Sequence, residues 1–239
     1  MKNLIPLMRR EWLQHRFAWA LLVLVPLALA VVSLAFGSIE LDGMEQARTP
    51  DQVALMVATL TVLITAAVLF LLLWVTSLFV AVGTPRRDHG DRSVEFWMSL
   101  PTSHAESLAA PLLVHLLIVP AAALLVGLVA GMAVSLLTVG RLAGPGEWFA
   151  LPWGQMGFGL LAFAGRVIAG LPLAVLWLSP LLLAAMLTNA FFKRWGLPVL
   201  AVGLGLSSWV LQKVFGAPLL AQTLGSLLRQ AGQSLMGAS

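Results

Sequence analysis

The sequence predicts an all-α integral membrane protein with five to six transmembrane helices. Of its 239 residues, 60% are hydrophobic and only 10% are charged, whereas a soluble domain carries about 25% charged residues. The charges are also clustered, because long uncharged runs alternate with short polar segments. Runs of about 20 apolar residues are long enough to cross a bilayer as a helix. A soluble core could not hide this much apolar surface from water.

The N-terminal segment, residues 1–16, predicts an amphipathic helix that lies on the membrane surface. Apolar side chains recur there at helical spacing, at Leu4, Leu7, Met8 and Trp12. The other face carries Lys2, Arg9, Arg10, Gln14 and Arg16. Such a helix places its apolar face in the lipid interface and its basic face among the headgroups. The alternative is an ordinary basic flank of the first span.

Five uncharged runs are predicted to be membrane spans. They are residues 17–39, 52–85, 107–140, 167–192 and 195–212. The run 52–85 is interpreted as one long, tilted helix, because two spans would need about 40 residues. The residues after 212 mix leucines with glutamines and an arginine, so no further span is predicted there.

Residues 141–166 predict an outer loop followed by an interfacial segment. Gly and Pro residues mark its start, and tryptophans follow. Arg166 is bracketed by two apolar runs, which leaves two interpretations. If the fourth span begins after Arg166, this side chain anchors the span at the outer surface. If the span begins earlier, Arg166 faces a cavity or a partner chain. A separate span over residues 148–165 is a further alternative.

A polar island, residues 86–106, separates the second and third predicted spans. It predicts a short amphipathic surface helix, because oppositely charged residues four apart can meet on one helix face. The charged pairs are Arg87 with Asp91 and Asp88 with Arg92, and the apolar side chains are Val94, Phe96, Trp97 and Leu100. Pro101 ends this helix. Ser103 and Glu106 then form a capping box, which predicts the start of the next helix.

The distribution of basic residues predicts that the N-terminus and the polar island lie in the cytoplasm. With this orientation, nine of the fourteen Lys and Arg residues are on the inner side, namely Lys2, Arg9, Arg10, Arg16, Arg86, Arg87, Arg92, Lys193 and Arg194. Lys and Arg are enriched in the cytoplasmic loops of membrane proteins. The net charge of +4 is thus attributed to membrane orientation, and no nucleic-acid partner is predicted.

The sequence carries no motif that predicts catalysis or nucleotide binding. The patterns Gly-x-x-x-x-Gly-Lys-Ser/Thr, His-Glu-x-x-His and Gly-x-Ser-x-Gly are absent, and there is no Cys. No metal site and no cofactor are predicted. His115 falls within the third predicted span, where a polar residue is a functional candidate by default. We interpret His115 and Arg166 as candidate pathway residues, and the alternative for His115 is a hydrogen bond to a neighbouring helix.

Three motifs form a pattern that extends over most of the chain. The motifs are Arg10-Glu11-Trp12 near the N-terminus, Asp91-Arg92-Ser93 followed by Glu95-Phe96-Trp97-Met98-Ser99-Leu100-Pro101-Thr102-Ser103 in the polar island, and Leu176-Trp177-x-x-Pro180. With them the chain resembles the permease subunits of type 2 ABC transporters, the ABC-2 family. Three departures stand out: Pro111 replaces a Lys found in many relatives, His104 replaces an acidic residue, and five spans are predicted where six are usual.

The resemblance implies a function and a set of partners. It places Arg9, Arg10, Glu11 and Trp12 in the family's amphipathic elbow helix, and Arg92, Glu95, Phe96, Trp97 and Leu100 in its cytoplasmic coupling helix. The chain would be the membrane subunit of an exporter in the bacterial inner membrane, without an enzyme activity of its own. Its partners would be a homodimeric ABC-type ATPase, a second permease chain and membrane lipid. The alternative is a non-transporting anchor or assembly subunit of a redox or secretion complex.

The predicted topology can be tested with single cysteines, because the native chain has none. His89→Cys and Gly43→Cys should react with a membrane-impermeant maleimide from opposite sides of the membrane, since one predicted span separates them. In intact cells only the Gly43 variant should be labelled, and the His89 variant should be labelled after permeabilisation. Labelling of both variants from one side would contradict the orientation.

Overall fold

The structure is a computed structural model that describes residues 4–37, 49–90, 104–216 and 218–237. These residues form helices and short connections without a strand, which confirms the all-α prediction. The helices are α1 Leu4–Phe36, α2 Pro50–Gly90, α3 His104–Leu113, α4 Val119–Leu142, α5 Pro145–Ala150, α6 Trp153–Phe192, α7 Gly196–Phe215 and α8 Leu219–Met236. A π-helical turn, Val114–Ile118, joins α3 to α4, and a 3-10 turn, Lys193–Trp195, joins α6 to α7.

Within the described residues, four helical stretches are long and apolar enough to cross a membrane. They are Leu4–Phe36, Gln52–Pro85, Glu106–Leu142 and Trp153–Phe215. These stretches fit a multi-pass membrane protein. The last stretch is 63 residues long and contains two helices joined by a turn, so the count of five to six spans stays a prediction.

Two segments have helix boundaries that differ from the sequence-based ones. Residues 4–16 and residues 17–36 of the first predicted span share one helix, since α1 is continuous from Leu4 to Phe36. The interfacial segment is mostly helical, because α6 begins at Trp153, directly after Pro152. No further proline occurs until Pro172, so nothing in the backbone stops the helix before Arg166. Arg166 therefore lies inside α6.

The chain divides into two compact units. The first contains Met1–Trp12, Thr76–Ile118 and Gly165–Ser239, and the second contains Leu13–Val75 and Val119–Ala164.

In the second unit, α2 and α4 approach each other at two glycines. A Cβ atom on Gly127 would lie 2.7 Å from the Cα of Ala66, and one on Gly131 would lie 2.8 Å from the Cα of Val62. The facing residues on α2, Ala58, Val62 and Ala66, recur every four residues and are fully buried. Small residues allow membrane helices to approach this closely, which increases van der Waals contact between their backbones.

An aromatic corner fixes α5 at the end of α4 in the same unit. The indole N–H of Trp148 donates a hydrogen bond to Ser135 Oγ at 2.9 Å. The indole N–H of Trp153 donates to the carbonyl oxygen of Trp148 at 2.7 Å, and the two ring centroids are 4.3 Å apart. Both indoles thus find acceptors inside the protein, while their rings pack beside the buried residues Ala54 and Leu151.

In the first unit, the chain reverses direction between α6 and α7. Lys193 has a positive φ of 51°, and a Cβ atom on Gly196 would lie 2.5 Å from the Cα of Asn189. The start of α7 therefore packs directly on the last turns of α6. The side-chain amide of Asn189 also donates to the carbonyl oxygen of Val82 on α2 at 3.3 Å. This polar contact ties the end of α6 to α2 within a buried environment.

The close approach of α2 and α4 at Gly131 predicts that a Gly→Ala substitution there costs stability, whereas the same substitution at an open glycine does not. Gly131→Ala should destabilise the protein by about 1–3 kcal/mol, because its methyl group meets backbone atoms of Val62. Gly159→Ala on α6 is the matched control, because a Cβ atom there meets nothing within 4 Å. It should leave the stability unchanged or raise it by up to about 1 kcal/mol through helix propensity. Thermal unfolding in detergent micelles measures both changes, and equal melting temperatures for the two variants would contradict the close approach.

Candidate functional site

The structure describes only some of the residues that the sequence selects. The coupling-helix residues Arg92, Glu95, Phe96, Trp97 and Leu100 lie outside the described residues. The described candidates are Arg9, Arg10, Glu11 and Trp12 on α1, His115 in the π turn and Arg166 on α6. All six belong to the first unit.

The start of α1 presents an acidic residue, not a tryptophan, toward the interior. Glu11 is only 4% exposed, while Trp12 is 41% exposed. Arg9 and Arg10 are exposed as well. The partly buried residues Leu4, Leu7 and Met8 share a helix face with Glu11. The sequence pattern grouped Trp12 with the other apolar residues of this segment on a face directed at the lipid interface, and that placement stays a prediction. In the structure, Glu11 is the buried residue of this turn.

His115 is held by a turn that departs from regular α-helix. The π turn Val114–Ile118 lies between Pro111 in α3 and Pro120 in α4. Each proline removes a backbone N–H donor and its ring crowds the preceding turn, so the regular ladder is interrupted on both sides of this segment. π-helical turns are rare and are frequently found at functional sites. His115 is completely buried there.

The π turn brings His115 to the buried carboxylate of α1. Nε2 of His115 lies 3.4 Å from Oε2 of Glu11. With a proton on Nε2 the imidazole donates to the carboxylate, and the contact becomes an ion pair when both ring nitrogens carry protons. The distance exceeds the usual 2.7–3.2 Å of an N–H···O bond, so a small movement of α1 or of the turn would strengthen or break it. Such a contact stabilises a carboxylate that burial would otherwise penalise.

The Glu11–His115 contact connects two helices that are distant in sequence. The two residues are 104 positions apart, and His115 follows α3, which begins at His104. Chemically, the contact offers one carboxylate oxygen and one imidazole nitrogen. His15 follows Glu11 by one turn of α1, so that this helix carries an oxygen and a nitrogen donor on one face. These are ligand types that Zn²⁺ accepts.

Arg166 has a different environment from the Glu11–His115 contact. It lies on the exposed side of α6, and its Cδ is 3.1 Å from the position that a Cβ atom on Gly237 would take. Gly237 directly follows the last residue of α8. Helix α6 begins at Trp153, before Arg166, which was the condition for Arg166 to face a cavity or a partner chain. In the structure, however, the Arg166 side chain lies beside the C-terminal end of α8.

Sequence reasoning identified both partners of the buried contact separately and missed that they meet. A signal existed, because His115 is an ionisable residue within an apolar run and Glu11 is an acid within a basic segment. Intramembrane ionisable residues tend to pair with one another. The periodicity of residues 1–16 indicated only an apolar face directed at the lipid interface, so it gave no reason to expect a buried acidic side chain in this segment.

Comparison with protein-family models, with curated proteins and with solved structures finds no match to this chain. What bears on its function is therefore the motif pattern and the geometry of the described helices.

The contact between Glu11 and His115 predicts non-additive effects on stability. Glu11→Met and His115→Leu should each lower the free energy of unfolding by about 1–3 kcal/mol, because each leaves a buried polar group without this partner. The double variant should lose less than the sum, since two apolar side chains can pack together. Arg9→Gln, on the exposed side of α1, is the control and should change stability by no more than about 0.5 kcal/mol. Strictly additive losses in a double-mutant cycle would show that the two side chains do not interact.

Proposed function

We propose that this chain is the permease subunit of an ABC-2-type exporter in the bacterial inner membrane. The observation that carries the proposal is the motif from Glu95 to Ser103, which resembles the family's coupling-helix region. Its position supports the assignment, because α3 begins at His104, immediately after the motif. A helix that starts at a coupling segment can convey the movement of that segment into the membrane.

In the proposed mechanism a separate ATPase supplies the energy. ATP binding closes the ATPase dimer, moves the coupling helix and shifts the permease between inward-open and outward-open states. The chain itself carries no nucleotide-binding motif, so hydrolysis takes place on the partner. The substrate crosses a pathway formed with a second permease chain, and no cofactor takes part.

The described helices offer a route for this movement. A displacement of α3 acts directly on the π turn and therefore on His115, which contacts Glu11 on α1. The elbow segment of α1 thus moves with the coupling segment, or the contact breaks. A π turn between two prolines is a plausible site for such a rearrangement, because its hydrogen-bond ladder is already interrupted. The Glu11–His115 contact is a structural link between the two segments that the family resemblance alone does not provide.

The exposed apolar surface supports membrane lipid and a second permease chain as partners. In α1, only 6% of the most apolar 18-residue window is buried within the chain, and in Trp153–Phe215 the share is 28%. Exposed apolar patches of this extent mark surfaces for lipid or protein. In the proposed topology the N-terminus is cytoplasmic, and α6 and α7 cross the membrane separately, which gives five spans.

The proposal predicts that aromatic side chains of the coupling helix anchor the ATPase. The double variant Phe96→Ala/Trp97→Ala should lose the ATPase on co-purification, because each buried aromatic anchor contributes about 2 kcal/mol or more. That loss corresponds to roughly thirtyfold in affinity per residue. ATP-dependent transport should be lost with it, while expression and membrane insertion remain.

A matched control is Phe192→Ala/Trp195→Ala. These aromatic residues are also exposed; Phe192 precedes the basic turn Lys193–Trp195 and Trp195 is its last residue. The proposed topology places this turn in the cytoplasm. This variant should keep its ATPase at wild-type stoichiometry. Retention of the ATPase by both variants would refute the coupling role of residues 92–100 and would favour a membrane subunit that does not transport.

A further inference from the structure

The C-terminal helix α8 has two faces of different chemistry. The packed face carries Leu220, Leu224, Leu227, Ala231 and Ser234, which are buried or partly buried. The open face carries Gln222, Ser226, Arg229 and Gln233, which are exposed. Each set recurs at the spacing of an amphipathic α-helix, so that the two sets lie on different faces of α8. Neither a fully buried helix nor a lipid-embedded one would need the polar face.

Measured along helices α6 and α7, both ends of α8 are about equally far from the turn Lys193–Trp195. Helix α7 leaves this turn and runs for 20 residues, about 30 Å at 1.5 Å per residue, before α8 begins. At its other end, α8 contacts Gly170 of α6, where a Cβ atom would lie 3.1 Å from the Cα of Leu235. About 33 Å of helix separates Gly170 from the last residue of α6. Because the hydrocarbon core is about 30 Å thick, each end of α8 is separated from the basic turn by about one membrane thickness of helix.

Arg166 lies next to the C-terminal end of α8. It lies one turn before Gly170 on α6, and its side chain is next to Gly237. The last carbonyl groups of a helix carry a partial negative charge, which an arginine stabilises. Residues 167–192 of α6 contain no charged residue, so Arg166 is the charge at the start of this apolar run, and the uncharged residues 153–165 precede it. The contact between Arg166 and Gly237 therefore places the C-terminal end of α8 beside the start of the run 167–192.

The charged residues of α8 and of its neighbours along the chain have one sign. No Asp or Glu occurs after Glu147 in the sequence, and the basic residues at this end of the unit are Arg166, Lys213 and Arg229. Beside the polar face, Leu219, Leu228 and Met236 are exposed. In an interfacial helix, such apolar side chains enter the acyl region while basic and polar side chains contact the headgroups. The surface is therefore complementary to a layer of negatively charged headgroups.

We propose that α8 lies in the headgroup layer on the membrane side opposite Lys193 and Arg194, and that its Arg229 face binds anionic phospholipid. Arg166 acts as a positioning residue that fixes the C-terminal end of the helix. This inference depends on the membrane location of the chain and not on ABC transport, so it can hold or fail independently of the proposed exporter function.

The test uses single cysteines in the otherwise cysteine-free chain. Ser226→Cys, one turn before Arg229, is labelled with an environment-sensitive fluorophore, and the protein is placed in nanodiscs of phosphatidylcholine with or without phosphatidylglycerol. The emission of the probe should shift to shorter wavelength with phosphatidylglycerol, because the anionic lipid draws the Arg229 face into the headgroup layer. Salt of about 1 M should remove the shift by screening the charges.

Two further variants define the controls. Arg229→Gln in the Ser226→Cys background should lose the lipid-dependent shift, and the substitution is at an exposed position that should leave the fold intact. Ser207→Cys on the exposed side of α7 reports on a site within a helix that crosses the membrane, so its emission should be equally apolar in both lipids.

Three results would overturn the proposal. Emission typical of water in both lipids would place α8 away from the membrane surface. Emission as apolar as that of the Ser207 site would place α8 within the hydrocarbon core. A lipid-dependent shift that persists in Arg229→Gln would assign the response to another part of the protein. Loss of ATPase binding or transport has no bearing on any of these readouts.

Discussion

The absence of water in the hydrocarbon layer is the constraint on which the described fold depends. Backbone N–H and C=O groups in such surroundings must bond within the chain, and a helix achieves this without a neighbouring segment. This constraint explains why the long apolar segments α1, α2, α4, α6 and α7 are helical. Departures from the regular ladder occur where prolines remove donors, as in the π turn between Pro111 and Pro120. Burial then allows close contact at positions such as Gly131, where no side chain separates the helices.

Three of the polar side chains within this apolar framework have specific neighbours. The carboxylate of Glu11 lies next to the imidazole of His115, the amide of Asn189 reaches a carbonyl group of α2, and Arg166 lies against the end of α8. Each contact joins segments that are far apart in sequence. In a low-dielectric environment such contacts select among packings that apolar side chains alone would tolerate, because an unpaired polar group there is costly. A conformational change within the first unit would therefore alter these contacts.

The candidate site shows which of its features the local sequence pattern could predict. The sequence selected residues of the elbow segment and His115 from their residue types and positions, and both proved to be near each other. It did not identify Glu11 as the buried residue, because the periodic recurrence of Leu4, Leu7 and Met8 is compatible with either Glu11 or Trp12 on the same side. A helix face extends over more than one residue per turn, so only the neighbouring segment decides which side chain is buried.

The sequence by itself determined the class of the protein, the apolar runs and the polar island, because composition and the clustering of charge are local properties of the chain. It also limited the role of the C-terminal residues, which were too polar for a span. Only the tertiary structure decided that α6 continues through Arg166, that α8 packs across Gly170, and that Glu11 meets His115. These features depend on which helix faces meet, and the energy of such contacts arises from pairs of residues that no periodicity along the chain connects.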